Sequence, residues 1–189
     1  MTTNETRAVV IGASAGAVQA LLKILPALPA EFPAPVLIAV HVPPDRDNAL
    51  VPLLQSRCSV RVKEAEDKEP VAAGVVYFAP SDYHLLVERD GSLALSSDEL
   101  VNYSRPSIDV LFESAADAYG AGLTGIILTG ANSDGAAGLQ AVATAGGETI
   151  VEDPRQAYAS TMPEAALVGS SARILSLDAI ADHLARMTG

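Results

Sequence analysis

Apolar and polar positions follow two rhythms along this chain. A short apolar run, Ala8-Val9-Val10-Ile11, leads into small residues. Val18, Leu21, Leu22, Leu25 and Leu28 then recur at helical spacing until Pro29, Pro33 and Pro35 close the segment. Val36 to Val40 predicts a second buried strand, and Leu50, Leu53 and Leu54 mark a further helix whose Pro52 falls in the first turn, where its missing N–H costs nothing. Strand-length apolar runs separated by helical patterns predict an α/β fold: a three-layer, doubly wound, mostly parallel sheet.

The middle of the chain breaks this rhythm. Val60-Arg61-Val62 alternates as a strand, Val75 to Ala79 predicts another, and Tyr83 to Glu88 with Leu93 to Leu95 reads as a hairpin turned at Asp90-Gly91, an antiparallel excursion from the main sheet. Helical spacing returns at Ile108, Leu111, Phe112, Ala115 and Tyr119, with Gly120 or Gly122 as the stop. Gly125 to Thr129 is expected as a central buried strand and Ala136 to Ala145 as a helix stopped by Gly146-Gly147. Thr149 to Val151, Arg173 to Leu175 and a helix from Leu177 complete the pattern.

Composition adds bounds rather than detail. With 189 residues, 49% of them hydrophobic, and 14 Gly and 12 Pro dispersed rather than massed in a linker, one domain spanning residues 1–189 is expected. A formal charge of -11 with no cluster of Lys and Arg repels phosphate backbones and argues against nucleic acid as a partner. The first apolar run is too short for a signal segment or a membrane span, so a cytoplasmic protein without membrane insertion is expected. The lone Cys58 forms neither an internal disulfide nor a metal cluster and reads as a small, partly buried residue.

In doubly wound sheets ligands bind outside the carboxyl ends of the strands, so the residues just after each apolar run are the candidates for chemistry. Strand one ends at Ser14, strand two at His41, and the strand from Gly125 runs into a loop carrying Asp134. A serine hydroxyl needs an imidazole to take its proton during attack on a carbonyl, and a carboxylate fixes the tautomer of that imidazole. Each residue also has a plainer explanation. Ser14 fits a helix N-cap, His41 a hydrogen-bonded core histidine, and Asp134 an N-cap for the helix from Ala136. Of the other histidines, His84 lies in the hairpin pattern and His183 on the terminal helix, where solvation is expected.

A nucleotide cofactor fits poorly. Gly12, Ser14 and Gly16 do not form the dinucleotide spacing, the second strand ends in His41 rather than an acid, and no phosphate loop occurs, so no cofactor and no metal are expected. The order serine, histidine, aspartate also differs from that of ordinary α/β-hydrolases.

Six stretches together carry a resemblance: IGASAGAVQALLKILPALP, VHVPPD, GVVYFAPSDYHLLVE, RPSIDVLFESAA, GIILTGANSDGAAGLQAVATAGG and STMPEAALVG. They resemble the catalytic domain of chemotaxis protein-glutamate methylesterases, the CheB family, from about Arg7 to the C-terminus. The resemblance implies a triad of Ser14, His41 and Asp134, hydrolysis of glutamyl methyl esters on the cytoplasmic helices of chemoreceptor-like proteins, and sometimes deamidation of receptor glutamines. The backbone amides of Ala15 and Ala131 are the implied oxyanion-hole donors. Better-known members carry a receiver domain before this one; with only a few residues ahead of the first strand, none is expected here. Two places depart from the family. Ser14-Ala15-Gly16-Ala17 stands where Ser-Thr-Gly-Gly is usual, and Thr129-Gly130-Ala131-Asn132 where Thr-Gly-Met-Gly is common. A catalytically weakened interaction module and an esterase for another small ester are the competing expectations.

Overall fold

The computed structural model describes residues 7–41 and 49–187. Its strands and helices follow in chain order as β1 (Ala8–Ala13), α1 (Ala17–Ile24), β2 (Val36–Val40), α2 (Leu50–Gln55), β3 (Arg61–Glu64), β4 (Val75–Phe78), β5 (His84–Val87) and β6 (Leu93–Ser96). The second half adds α3 (Ile108–Tyr119), β7 (Leu123–Ile127), α4 (Ala136–Thr144), β8 (Glu148–Glu152), α5 (Thr161–Leu167), β9 (Arg173–Leu175) and α6 (Leu177–Ala185).

Seven strands form one sheet in the order β3-β4-β2-β1-β7-β8-β9, every pairing parallel, while β5 and β6 form a separate antiparallel pair. The order reverses at β1. The first half of the chain builds outward on the β2 side and the second half on the β7 side, which opens a crevice at the carboxyl end of β1. The strands at Arg61 and Val75, read from sequence with the antiparallel middle, belong to this parallel sheet. Only the hairpin leaves it.

Side-chain alternation explains the layers. Val9, Ile11, Val36, Ile38 and Val40 pack under α1, α2 and α6 with Leu21, Ile24, Leu54 and Ile180. Val10, Leu37 and Ala39 face the other way, into a second core with Leu85, Phe112, Leu139 and Met162 from the hairpin, α3, α4 and α5. Both faces of β1 are therefore dry, and every residue of the strand is buried.

Two elements differ from the hydrophobic pattern. Helix α1 stops at Ile24, and Leu25–Ala27 tightens into a 3₁₀ turn around Pro26. Its buried face is Ala17, Ala20, Leu21 and Ile24, whereas Val18 is exposed, because the alanines let the helix approach the sheet closely. Helix α5 had no periodic signal. It is a short segment that carries Pro163 in its first turn, where proline is tolerated. Among the described residues no helix is long and apolar enough to cross a membrane.

Gly12 shows how tightly α3 is seated. A Cβ at this position would collide with Cγ2 of Ile108, the first residue of α3, which is itself fully buried. Gly12→Ala is expected to cost about 2 kcal/mol through overpacking, as the drop in unfolding free energy in urea.

Candidate active site

The sheet register brings the strand ends together. Ala13 pairs with Val40 and Gly12 with Ile127, so Ser14 and His41 follow directly on neighbouring strands and the loop after β7 opens beside them. Backbone bonds fasten this edge: the His41 amide donates to Ala13 O (3.3 Å) and the Ser14 amide to Thr129 O (2.9 Å).

The turn carrying Ser14 is held at both ends. Gly16 adopts φ +85°, a left-handed conformation that favours glycine, and a Cβ there would lie 2.8 Å from Cβ of Tyr158. Thr129 secures the next residue: its Oγ1 donates to Ala15 O and accepts from the Ala159 amide, both at 2.8 Å. The Thr129 amide donates to buried Glu152 Oε2 (2.8 Å), whose carboxyl burial pushes up from its ordinary range. Ser14 is not the helix cap that its position allowed. Helix α1 has no side-chain cap, and the bond at its start runs from the Ala17 amide to the Ser14 carbonyl. Among the described residues the serine hydroxyl has no hydrogen-bond partner.

His41 and Asp134 meet. His41 Nε2 lies 2.7 Å from Asp134 Oδ2, with the histidine side chain 13% exposed and the aspartate fully buried. Asp134 also accepts from the Ile108 amide (2.7 Å), Asn102 Nδ2 (2.9 Å), Ser107 Oγ (3.0 Å) and the Asp109 amide (3.2 Å). Burial drives its carboxyl up, but the bonds from His41, Ile108 and Asn102 outweigh that and hold it below the ordinary aspartate range. Asp134 does cap a helix, but that helix is α3 rather than α4.

The capping is reciprocal. Asp109, in the first turn of α3, accepts from the amides of Gly135 (3.0 Å) and Gly138 (2.7 Å) at the start of α4. Each helix thus borrows a carboxylate from the other for its unpaired N–H groups and positive dipole end. Asn102 ties the two together, donating to Asp109 Oδ2 at 2.7 Å as well as to Asp134. Burial and the neighbouring Asp134 charge push the Asp109 carboxyl up, against the amide bonds it accepts. The consequence for chemistry is an immobile anion behind the imidazole.

The other ring nitrogen is also occupied. Asn132 Nδ2 lies 3.1 Å from His41 Nδ1, while Asn132 Oδ1 accepts from the Asp134 amide at 3.0 Å. The structure therefore joins His41 to Asp134 and sets Ser14 on the adjacent strand end, without a hydrogen bond between Ser14 and His41 among the described residues. The Ala15 and Ala131 amides make no hydrogen bond to another described residue, and Ala131 is exposed at the mouth of the site.

A cavity of about 150 Å3 opens beside His41, lined also by Asp82, Leu100, Tyr103, Ser104 and Arg105. Arg105 is held there by Asp82 Oδ1 (2.7 Å) and by the carbonyls of Ser97 and Asp98. Tyr103 is almost wholly exposed.

The remaining histidines do other work. His84 is buried, with Nδ1 accepting from the Ser107 amide and Nε2 against Glu99 O, so it braces the start of α3. His183 is partly exposed, as its helix position suggested, and also pairs with Glu148 at 3.0 Å. Cys58 is partly buried, and burial pushes its thiol up. Sequence reasoning missed Asn102, Asp109, Thr129 and Asn132. Asp109 and Asn132 stand in stretches already singled out, but only tertiary packing reveals their partners. Residues 42–45, which complete the stretch after β2, lie outside the described residues.

Fold and site define a class: parallel α/β domains with a serine turn and a histidine–carboxylate couple at the carboxyl edge of the central strands. The CheB methylesterase family model matches residues 9–184, and the chain belongs to that family. A Leptospira interrogans protein named "putative protein-glutamate methylesterase/protein-glutamine glutaminase" is 46% identical over 181 residues, covering 95% of this chain and 94% of that one. A Symbiobacterium thermophilum protein-glutamate methylesterase/protein-glutamine glutaminase is 40% identical over 97% of this chain, which spans 51% of that protein's length. Among solved structures, the Thermotoga maritima CheB methylesterase catalytic domain superposes with a TM-score of 0.92 at 34% identity, covering 97% of this chain and all of that one.

Proposed function

We propose that this chain hydrolyses methyl esters of glutamate side chains on chemoreceptor-type proteins, with Ser14 as nucleophile, His41 as base and Asp134 as its fixed counter-charge. The 2.7 Å couple between His41 and Asp134, on the strand end beside Ser14, is the observation that carries this reading. Because Nε2 faces a carboxylate, it holds the ring proton and leaves Nδ1 as the acceptor. Ser14 Oγ attacks the ester carbonyl carbon as its proton passes to Nδ1, and the carbonyl oxygen becomes an oxyanion facing the amides of Ala15 and Ala131. The C–O bond to methanol then breaks, the leaving oxygen taking the proton from Nδ1. A water, deprotonated at the same nitrogen, attacks the acyl-enzyme and frees glutamate and Ser14. With a glutamine side chain the same steps expel ammonia.

The site's setting supports a protein substrate. His41 is only slightly exposed, and exposed Leu100, Tyr103 and Tyr158 stand around the crevice rather than closing it. A cytoplasmic location follows from such a substrate. The test is methanol release from a receptor-derived helical peptide carrying glutamyl methyl esters, compared with p-nitrophenyl acetate. The expected result is a kcat/KM at least about 100-fold higher for the peptide, equivalent to roughly 2.7 kcal/mol of transition-state binding. Preference for the small ester would assign the site to other substrates.

A further inference from the structure

The described residues place an amide where the nucleophile's proton has to go. We propose that Asn132 is a positioning residue that holds the proton-accepting nitrogen of His41 in the resting site and yields it to Ser14 when substrate enters. This rests on the triad reading above.

The hydrogen-bond pattern fixes the orientation of both groups. Asp134 Oδ2 accepts, so His41 Nε2 carries the proton and Nδ1 presents a lone pair. Asn132 Oδ1 accepts from the Asp134 amide, which turns Nδ2, a donor, toward that lone pair at 3.1 Å. The ring is thus held in one tautomer from both sides. The same contact occupies the acceptor that Ser14 needs. Once Nδ1 takes the serine proton, it becomes a donor facing the Asn132 NH₂ group, so the amide has to leave for acylation to proceed. Asn132 is only half-buried and adjoins Ala131, a candidate oxyanion donor, so one short segment controls both the base and the charge it balances. An amide donor at Nδ1 favours the unprotonated ring, and its removal favours protonation.

Among the described residues, the other charged and titratable groups about the ring are Asp134 and, behind it, Asp109. Across the cavity stand Asp82, Arg105 and Tyr103. Substitution at residue 132 changes none of these groups; Asn132→Ala also removes the acceptor of the Asp134 amide, which Asn132→Asp keeps, so the two variants together separate the contact at Nδ1 from the support of Asp134.

The experiment follows phosphonylation of Ser14 by a fluorophosphonate through intact mass, as a function of pH, in wild type, Asn132→Ala and Asn132→Asp. In Asn132→Ala the alkaline plateau rises about two- to tenfold, the range of one ordinary hydrogen bond, and the acid limb moves up by as much as about one pH unit. In Asn132→Asp, which keeps the acceptor for the Asp134 amide, the acid limb moves further up, because a carboxylate at Nδ1 favours the protonated ring. Wild-type labelling with an Asn132→Ala plateau and limb that do not move, or a slower plateau in a variant of unchanged melting temperature, overturns the proposal alone. No labelling of Ser14 in wild type at any pH overturns the triad reading and the proposal with it.

Discussion

Ser14→Ala is expected to lower kcat for ester hydrolysis by about 10⁴-fold or more while leaving unfolding free energy within about 0.5 kcal/mol of wild type. The rate loss follows from removing the atom that forms the acyl-enzyme, and no neighbouring hydroxyl in the Ser14 turn replaces it, since Ala15 and Ala17 flank Gly16. The small stability change follows from the hydroxyl's lack of structural duty: it caps no helix, and the turn is held by the backbone of Ser14, the Thr129 hydroxyl and the left-handed Gly16. Steady-state methanol release and urea denaturation on the same preparation check both halves. A variant that loses rate and stability together would make Ser14 a structural residue.

Asp134→Asn separates from Ser14→Ala in a defined way, because this carboxylate serves both the imidazole and α3. We expect kcat to fall on the order of 10⁴-fold, through the wrong imidazole tautomer, as known for the equivalent change in a serine protease. We also expect a loss of about 2 kcal/mol in stability. The new NH₂ group has to face donors, either His41 Nε2 and the Ile108 amide or Asn102, Ser107 and the Asp109 amide. The stability gap depends on pH. The folded-state carboxyl titrates below the ordinary aspartate value, so its contribution is fully present above about pH 4. It is lost as pH falls through the lower folded-state value. Urea titrations of wild type and variant at neutral pH and at successively lower pH should show a difference that is full at the first and shrinks with acidification. A constant difference would mean that the network does not depend on the charge.

The framework that positions the site was legible where burial is complete on both faces. Strands β1 and β2 read as apolar runs, and β7 is marked by Ile126 to Leu128 at its end; a parallel sheet places these ends on one edge, so Ser14, His41 and the Asp134 loop could be brought together from sequence alone. The hairpin was legible from Asp90-Gly91, and Gly91 indeed takes φ +85°. Other features required three dimensions. Asp134 stands two residues before α4 in sequence yet caps α3, because the two helix starts face each other and each carboxylate reaches across. Asn132 lies in a loop singled out from sequence, but spacing cannot show an amide meeting an imidazole from another strand. Along α1 and the turn after it, Leu21, Leu25 and Leu28 are buried as their spacing suggested, but Val18 points to solvent, and Ala17 and Ala20, which carry little hydrophobic signal, pack closely instead.

Activation of Ser14 by His41 is read out by intact mass with peptide mapping after exposure to a fluorophosphonate, with Ser14→Ala and His41→Ala as controls. We expect one adduct on Ser14 in the wild type and none in either variant. A folded wild-type protein that takes no adduct, or takes it elsewhere, would rule out an activated Ser14.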